Sequence, residues 1–266
     1  MGKIQISSVM NIVFIVNVDL KNGRNNPYHL GTKSWNHWAK KNNARVVELT
    51  EPIIDPNILR VNLHRYWAFD ILEQNNVDFE NVLLVDADTI VHPDCPDFFK
   101  ESNNKLGVVV NNGCYEWTKR SISQWRDGLF PDMECVKTWQ YFNSGFITLN
   151  KTHKEFLDKV KNFYLDNKDV IPDLTKKIKA GTDQTIVNFL VKKYNIDVTY
   201  LPECYNFQDL FRKNLLHIPG HSWFSDDLHY LDCGWVYHFN AIPQNSRHVE
   251  YWMERTYNHF YNDEKV

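Results

Sequence analysis

Residues 82–91 have the sequence Val-Leu-Leu-Val-Asp-Ala-Asp-Thr-Ile-Val, and this stretch decides the fold class. Four consecutive apolar residues lead into two aspartates, and apolar residues then resume. Such a run indicates a strand that is buried on both faces, as in the parallel sheets of α/β proteins. Because side chains alternate along an extended chain, Asp86 and Asp88 point to the same side. In open α/β sheets, ligands bind beyond the carboxyl ends of the strands, where these acids fall.

Two carboxylates on one side of a strand repel each other unless positive charge lies between them. A divalent cation that is bridged to substrate phosphates would supply that charge. The apolar run at residues 12–16 is followed neither by Gly-x-Gly-x-x-Gly nor by Gly-x-x-x-x-Gly-Lys-[Ser/Thr], the two best-known glycine-rich phosphate-binding motifs. Metal-mediated diphosphate binding therefore stays open. The alternative is a structural role, since an aspartate after a buried strand often forms a turn or caps a helix. The stretch alone leaves both roles open.

The segments on both sides of this stretch alternate between strand-like and helix-like patterns, which is typical of an α/β domain. Short apolar runs predict strands at residues 12–16, 45–49, 106–110, 141–150, 197–201 and 234–239. Apolar residues at helical spacing predict helices at residues 32–42, 59–74 and 246–261, and others that begin near residues 152 and 181.

Residues 111–140 follow neither pattern and are expected to be irregular. A long irregular segment inside a compact domain is usually functional or mobile. Trp117, Trp125 and Trp139 lie in this segment. Each could belong to the core. As a group they could line a sugar-binding surface, because aromatic faces offer apolar area to sugar C–H groups.

The composition narrows the class of protein. A chain of 266 residues without an internal repeat or a linker fits one α/β domain. The net charge of −3 does not favour nucleic acid or an anionic membrane as a partner. No apolar run has the length of a membrane span, and the N-terminal segment is too polar for a signal peptide. Five cysteines without a Cys-x-x-Cys pair favour a reducing compartment, so we expect a soluble, cytoplasmic protein.

Five short motifs follow one another along most of the chain, roughly from residue 11 to residue 243. They are Leu84-Val85-Asp86-Ala87-Asp88-Thr89, Phe142-Asn143-Ser144-Gly145, Asp183-Gln184 at a helix start, Leu201-Pro202 with Tyr205-Asn206, and His238-Phe239. In this order and spacing they resemble the motifs of nucleotide-sugar glycosyltransferases with the GT-A fold. The resemblance is greatest to glycosyltransferase family 8, which includes glycogenin and bacterial lipooligosaccharide galactosyltransferases.

This resemblance implies a single GT-A (Rossmann-like) α/β domain over residues 1–266, with a mixed, mostly parallel central sheet flanked by helices. Residues 1–110 would form the nucleotide-sugar-binding half. Residues 111–266 would form the acceptor half and the C-terminal helix. The implied reaction moves a sugar from a nucleotide-diphosphate donor, most simply a UDP-sugar, to a carbohydrate, glycolipid or protein acceptor, with retention at the anomeric carbon.

The resemblance also implies a metal site. Asp86, Asp88 and His238 would hold Mn²⁺ or Mg²⁺, for which carboxylate and imidazole groups are suitable ligands. The ion would stabilise the leaving nucleoside diphosphate and orient the donor. Asp86 would in addition contact the donor ribose.

The same resemblance assigns roles around the donor sugar. Asn143 and Asp183 would bind sugar hydroxyls, with Ser144 beside them. Gln184 would lie near the anomeric carbon, where its amide oxygen can stabilise an oxocarbenium-like centre. Arg65 is either a phosphate or sugar ligand or a solvated surface arginine. The predicted catalytic pair is therefore Asp183 and Gln184.

One part of the family pattern differs in this chain. The family usually has a glycine and then Lys-Pro-Trp after the late histidine, and the lysine contacts the diphosphate. Here Ala241 stands at the glycine position and Gln244 at the lysine position. Arg247 is a candidate replacement for the lysine.

Three alternatives stay open at this stage. An inverting transferase of the same fold would need a carboxylate as general base, for which Asp132 or Glu134 are candidates. A non-catalytic nucleotide-sugar-binding protein would keep the fold without the reaction. A phosphohydrolase of the haloacid dehalogenase type would use Asp86 as a nucleophile, although its motif usually lies in the first strand of the domain.

Overall fold

A computed structural model of the protein describes residues 9–21, 23, 25–216, 228–242 and 249–261. Its strands are β1 (Met10–Val16), β2 (Ala44–Leu49), β3 (Phe79–Asp86), β4 (Thr89–Val91), β5 (Leu106–Val110), β6 (Phe142–Asn150), β7 (Val198–Leu201) and β8 (Val236–His238). Its α-helices are α1 (Tyr28–Lys41), α2 (Ala68–Gln74), α3 (Phe98–Glu101), α4 (Tyr115–Leu129), α5 (Lys154–Asp166), α6 (Ile171–Ile178), α7 (Thr182–Lys193) and α8 (Val249–Tyr261).

Six strands form the central sheet in the order β2-β1-β3-β6-β5-β7. Strands β2, β1 and β3 pair in parallel, as do β5 and β7, whereas β6 runs antiparallel to both β3 and β5. The carboxyl ends of β1, β3 and β5 and the amino end of β6 therefore meet at one edge of the sheet. The prediction of an α/β domain with a mixed, mostly parallel sheet is confirmed.

Apolar side chains cover both faces of this sheet. Alternate residues of β3 belong to different clusters: Val82 and Leu84 pack on one face, and Leu83 and Val85 on the other. The first face is covered by α2, α4, α5, α6 and α7. The second is covered by α1, α3, α8 and the pair β4–β8. The apolar run that opens the decisive stretch is buried on both sides, as its sequence predicts.

The stretch at residues 82–91 is not one continuous strand. β3 ends at Asp86, a turn contains Ala87 and Asp88, and β4 begins at Thr89. β4 leaves the central sheet and forms a separate antiparallel pair with β8. The turn forms because the hydroxyl of Thr89 donates to the carbonyl oxygen of Asp86 at 2.7 Å.

The prediction of an irregular segment at residues 111–140 is wrong for half of that segment. Helix α4 occupies its first part and buries Thr118, Ser121, Ile122 and Trp125. These residues have helical spacing, but the two polar ones hide the apolar periodicity. A second helix, α6, was not predicted, since its short sequence contains a proline near the start. None of the described helices has both the length and the apolar composition that crossing a bilayer requires.

Candidate metal and donor site

One cleft of about 580 Å³ opens at the edge where β1, β3 and β6 present their polar ends. It is lined by all the residues that the resemblance assigns to the metal, the donor and the catalytic pair: Arg65, Asp86, Asp88, Asn143, Ser144, Asp183, Gln184 and His238. They come from both predicted halves of the chain and from elements that are distant in sequence. The fold thus brings the whole predicted set together.

The short pair β4–β8 brings His238 to the two aspartates. Thr89, directly after Asp88, lies opposite His238 in the antiparallel register. The backbone N–H of Phe239 donates to the carbonyl oxygen of Asp88 at 2.8 Å, which extends the pairing by one step. The imidazole Nε2 therefore lies 3.4 Å from Oδ2 of Asp86 and 3.2 Å from Oδ1 of Asp88.

These three side chains fit a divalent cation. Each offers one ligand atom, and the three atoms lie within 4.8 Å of one another. Nε2 of His238 is buried and has no hydrogen-bond partner among the described residues. A buried polar atom without a partner is costly unless a ligand completes it. Two carboxylates and one imidazole are a suitable donor set for Mn²⁺ or Mg²⁺.

Gly145 leaves room for the side chains of Asp86 and His238. A Cβ atom at this position would be 2.5 Å from Oδ2 of Asp86 and 2.5 Å from Cε1 of His238. Both distances are far below a van der Waals contact. A larger residue here would thus displace the predicted ligands.

Charge balance within the cluster shifts two pKa values. Burial disfavours the charged imidazolium, but the carboxylates of Asp88 and Asp86 outweigh burial and raise the pKa of His238 to about 10. Burial also disfavours the charged form of Asp86, yet the guanidinium of Arg65 and the ring of His238 hold the pKa of that carboxyl well below its usual range. In the metal-free protein both shifts favour an imidazolium at His238 beside the carboxylate of Asp86.

Arg65 is buried and is not a solvated surface arginine. Its side chain is 6% exposed, and Nη2 donates to Oδ1 of Asp86 at 2.5 Å. Nη1 donates to the carbonyl oxygen of Ser144 and Nε to that of Asn62, both at 2.7 Å. Arg65 thereby links the end of β3 to the start of β6 and holds the Asp86 carboxylate in place.

The first turn of α7 brings Asp183 and Gln184 into the cleft. The carboxylate of Asp183 accepts from the hydroxyls of Ser144 at 3.0 Å and Thr182 at 3.1 Å. It does not cap the helix, because Gly181 is the residue before the first turn. Gly181 has φ +59°, and a Cβ atom there would meet Oγ1 of Thr185 at 2.1 Å, so glycine suits this position.

The amide of Gln184 is buried and is held on both sides. Oε1 accepts from Nδ2 of Asn143 at 3.0 Å, and Nε2 donates to Oδ1 of Asn111 at 3.1 Å. The sequence does not predict a role for Asn111, although it directly follows β5 at the edge where Asp86 ends β3. Asn206 was noticed only as part of a motif, and its partners depend on contacts that a sequence does not reveal.

Other predicted residues lie elsewhere. Asp132 and Glu134 line a different surface pocket beside Lys192, at the far end of α7 from Gln184. Trp117 lines the cleft. Trp125 is a core residue whose Nε1 donates to the carbonyl oxygen of Ala180 at 2.7 Å, and Trp139 is 69% exposed.

The end of the resembling segment is described in part. Gln244 and Arg247 lie outside the described residues. Ala241 has φ +56°, in the left-handed region that favours glycine. The backbone there has the conformation for which a glycine would be the natural residue.

Comparisons with known proteins agree on the fold. No family model and no curated protein matches the sequence. Among solved structures, the chain is similar to a glycosyltransferase involved in the glycosylation of the major capsid of PBCV-1. The two share 11% identity and a TM-score of 0.58, over 92% of this chain and 99% of that one.

The chain has a glycosyltransferase fold. A second similar structure is mouse xyloside xylosyltransferase 1 in its apo form, with 12% identity, a TM-score of 0.49, and coverage of 88% of this chain and 100% of that one. The predicted GT-A architecture is confirmed at the level of fold. Membership of glycosyltransferase family 8 stays a prediction.

Proposed function

We propose that this protein is a metal-dependent glycosyltransferase that moves a sugar from a nucleotide-diphosphate donor to a carbohydrate, glycolipid or protein acceptor. A UDP-sugar is the first donor to test. The observation that carries the proposal is the cluster of Asp86, Asp88 and His238, with the buried Nε2 facing both carboxylates, in the cleft of a glycosyltransferase fold. Such a cluster suits an ion that is shared with a diphosphate.

The proposed cofactor is Mn²⁺ or Mg²⁺. When bound, the ion supplies positive charge for the diphosphate leaving group. The chain itself holds the ligands in place, since Arg65 orients Asp86 and the pair β4–β8 orients His238. Asp86 is the proposed contact to the donor ribose as well.

Around the donor sugar, the proposed roles follow the positions in the cleft. Asn143, Ser144 and Asp183 line the same cleft and would bind sugar hydroxyls; Ser144 donates to Asp183, and Asn143 donates to Gln184. Gln184 presents an amide whose oxygen keeps a second lone pair beyond the one that Asn143 uses. That oxygen would face developing positive charge at the anomeric carbon. Retention is therefore the proposed stereochemical outcome.

A donor panel tests the proposal directly. The binding and hydrolysis of UDP- and GDP-sugars would be measured with Mn²⁺, with Mg²⁺ and with a chelator. We expect metal-dependent release of the nucleoside diphosphate, and its loss in Asp88→Asn. Asp94→Asn is the matched control, because Asp94 is exposed and pairs with Lys41 outside the cleft. If no nucleotide sugar binds in the presence of either metal ion, the proposal fails.

Each of the three alternatives has a decisive measurement of its own. A product whose anomeric configuration is opposite to that of the donor would rule out the retaining mechanism and favour an inverting transferase. Trapping of a phosphate on Asp86 would favour a phosphohydrolase, which is disfavoured here because both carboxylate oxygens already face cationic partners, Arg65 and His238. Donor binding without turnover in the presence of many acceptors would favour a non-catalytic binding protein.

A further inference from the structure

A chain of side-chain amides connects His238 to Gln184. Nδ1 of His238 lies 3.1 Å from Oδ1 of Asn206, and Nδ2 of Asn206 donates to Oδ1 of Asn143 at 3.0 Å. Nδ2 of Asn143 donates to Oε1 of Gln184 at 3.0 Å, and Nε2 of Gln184 donates to Oδ1 of Asn111 at 3.1 Å. All four amides are buried.

The direction of this chain follows from one backbone group. The N–H of Gly145 donates to Oδ1 of Asn143 at 2.8 Å. A backbone N–H can only donate, so this contact identifies the oxygen of the Asn143 amide without ambiguity. Its nitrogen must then face Gln184. The group of Asn206 that faces the same oxygen must be the NH₂, and Oδ1 of Asn206 must face His238.

This direction determines the form of the histidine. Oδ1 of Asn206 is an acceptor, so Nδ1 of His238 must carry a proton and donate to it. When the imidazolium of the metal-free protein loses its other proton, the neutral ring that keeps the proton on Nδ1 has a free lone pair on Nε2. Nε2 is the nitrogen that faces Asp86 and Asp88. The ring is thereby held with its metal-binding nitrogen pointing into the cleft.

We propose that Asn206 is a positioning residue that couples the metal site to Gln184. It holds His238 in the Nδ1–H form, and through Asn143 it orients the Gln184 amide. Every amide in the chain donates away from the metal site, so each hydrogen bond polarises the next one in the same direction. This inference deepens the proposed function and rests on it for the role of Gln184, but the histidine contact stands without it.

Two substitutions separate the two contacts of Asn206. Asn206→Leu removes both. Asn206→Asp keeps an acceptor for Nδ1–H of His238 but cannot donate to Asn143. Manganese affinity would be measured by electron paramagnetic resonance without any nucleotide. We expect Asn206→Leu to weaken it by about 10- to 100-fold, as is typical when the hydrogen-bond partner of a ligand histidine is lost. We expect Asn206→Asp to bind Mn²⁺ at least as well as the wild type.

Measurements of turnover test the other contact of Asn206, its hydrogen bond to Asn143. Asn206→Asp should lower kcat for the donor with little change in metal affinity, because two oxygens then face each other at Asn143 and Gln184 loses its orientation. Asn150→Ala is the control, since Asn150 is also a buried asparagine but caps a helical turn at the end of β6 that lies away from Asn143. Unchanged manganese affinity in Asn206→Leu, or equal losses of affinity in both Asn206 variants, would overturn the inference.

A spectroscopic measurement makes the inference independent of catalysis. In ¹⁵N-labelled protein, the Nδ1–H proton of His238 should be a slowly exchanging resonance, assigned by its absence in His238→Gln. We expect its slow exchange to persist in Asn206→Asp and to be lost in Asn206→Leu, with or without Mg²⁺, because the leucine offers Nδ1–H no acceptor. If the wild type and the two Asn206 variants show this pattern but the wild type has no transferase activity, the proposed function fails and the positioning role of Asn206 stands. If the slow exchange survives in Asn206→Leu, the positioning role fails.

Discussion

At the scale of single residues, His238 is a base that the metal-free protein keeps protonated. The neighbouring carboxylates raise the pKa of His238 to about 10 against the opposing effect of burial. A metal ion can bind only the unprotonated Nε2, so it competes with a proton. The affinity for metal should therefore rise with pH up to about pH 10, by roughly tenfold per pH unit.

The same competition predicts proton release on metal binding. At pH 7.5 we expect about one proton to leave the protein for each ion bound, because the imidazolium must lose its proton. Isothermal titration in buffers with different ionisation enthalpies measures this number. His238→Gln has no imidazolium and should release none. Equal apparent enthalpies for the wild type in all buffers would contradict this prediction.

Gly145 is a residue whose size limits the site. We expect Gly145→Ala to abolish metal binding at concentrations that saturate the wild type, because the new methyl group would overlap Asp86 and His238. Metal titration monitored by electron paramagnetic resonance measures this loss. Gly128→Ala is the control, since Gly128 is a helical glycine whose added methyl would meet only the flexible end of Leu174. Binding by Gly145→Ala with wild-type affinity would show that the ion lies elsewhere.

At the scale of elements, helix α1 supports the turn that carries the two aspartates. Nε1 of Trp35 donates to Oγ1 of Thr89 at 2.9 Å, and this hydroxyl in turn donates to the carbonyl oxygen of Asp86. Gly31 of the same helix lies so close that a Cβ atom would be 2.4 Å from the carbonyl oxygen of Ala87. The turn is thus packed from behind by a helix that supplies no ligand.

This support predicts a remote effect on metal affinity. Trp35→Phe should destabilise the protein by about 1 kcal/mol, which is typical of a lost buried hydrogen bond. It should also weaken metal binding, because the turn at Asp86 loses its brace. Trp38→Phe is the matched control: it loses a bond from the same helix to the carbonyl oxygen of Cys95, away from the cleft. Urea denaturation and metal titration of both variants measure the two effects, and equal metal affinities would contradict the prediction.

The elements also show what a sequence can predict. β3 was predicted because its apolar run is strong and local. The sequence does not predict helix α4, because Thr118 and Ser121 occupy buried positions, and Ser121 is buried against the loop at Gly181. The break between β3 and β4 was missed because apolar residues continue after Asp88, and only the partner strand β8 draws them out of the central sheet.

At the scale of the whole molecule, a bound ion would join parts of the chain that are far apart in sequence. An ion that binds the folded protein alone stabilises it by about 2.7 kcal/mol at 100 times its dissociation constant. For a chain of this size, that corresponds to a rise in Tm of about 5–10 °C. Differential scanning fluorimetry with Mn²⁺ and with chelator measures the shift. Asp88→Asn should show none, and a similar shift in that variant would assign the stabilisation to another site.

Only some of the residues that form the site can be predicted from the sequence. Asp86 and Asp88 lie directly after a recognisable strand, and His238 was assigned by resemblance to a known order of motifs. The buried bracing by Arg65 and the amide partners Asn111 and Asn206 arise only when β6, α7 and the segment after β7 pack together. No local pattern in the sequence records those distances.

The late position of β8 has a consequence for synthesis on the ribosome. The two aspartates and β4 emerge from the ribosome roughly 150 residues before His238 does. Until β8 arrives, β4 presents an unpaired strand edge, a kind of surface that invites pairing with other chains. The newborn chain therefore carries two of its three proposed ligands without the third while those roughly 150 residues are translated, and the site is completed only when β8 is added.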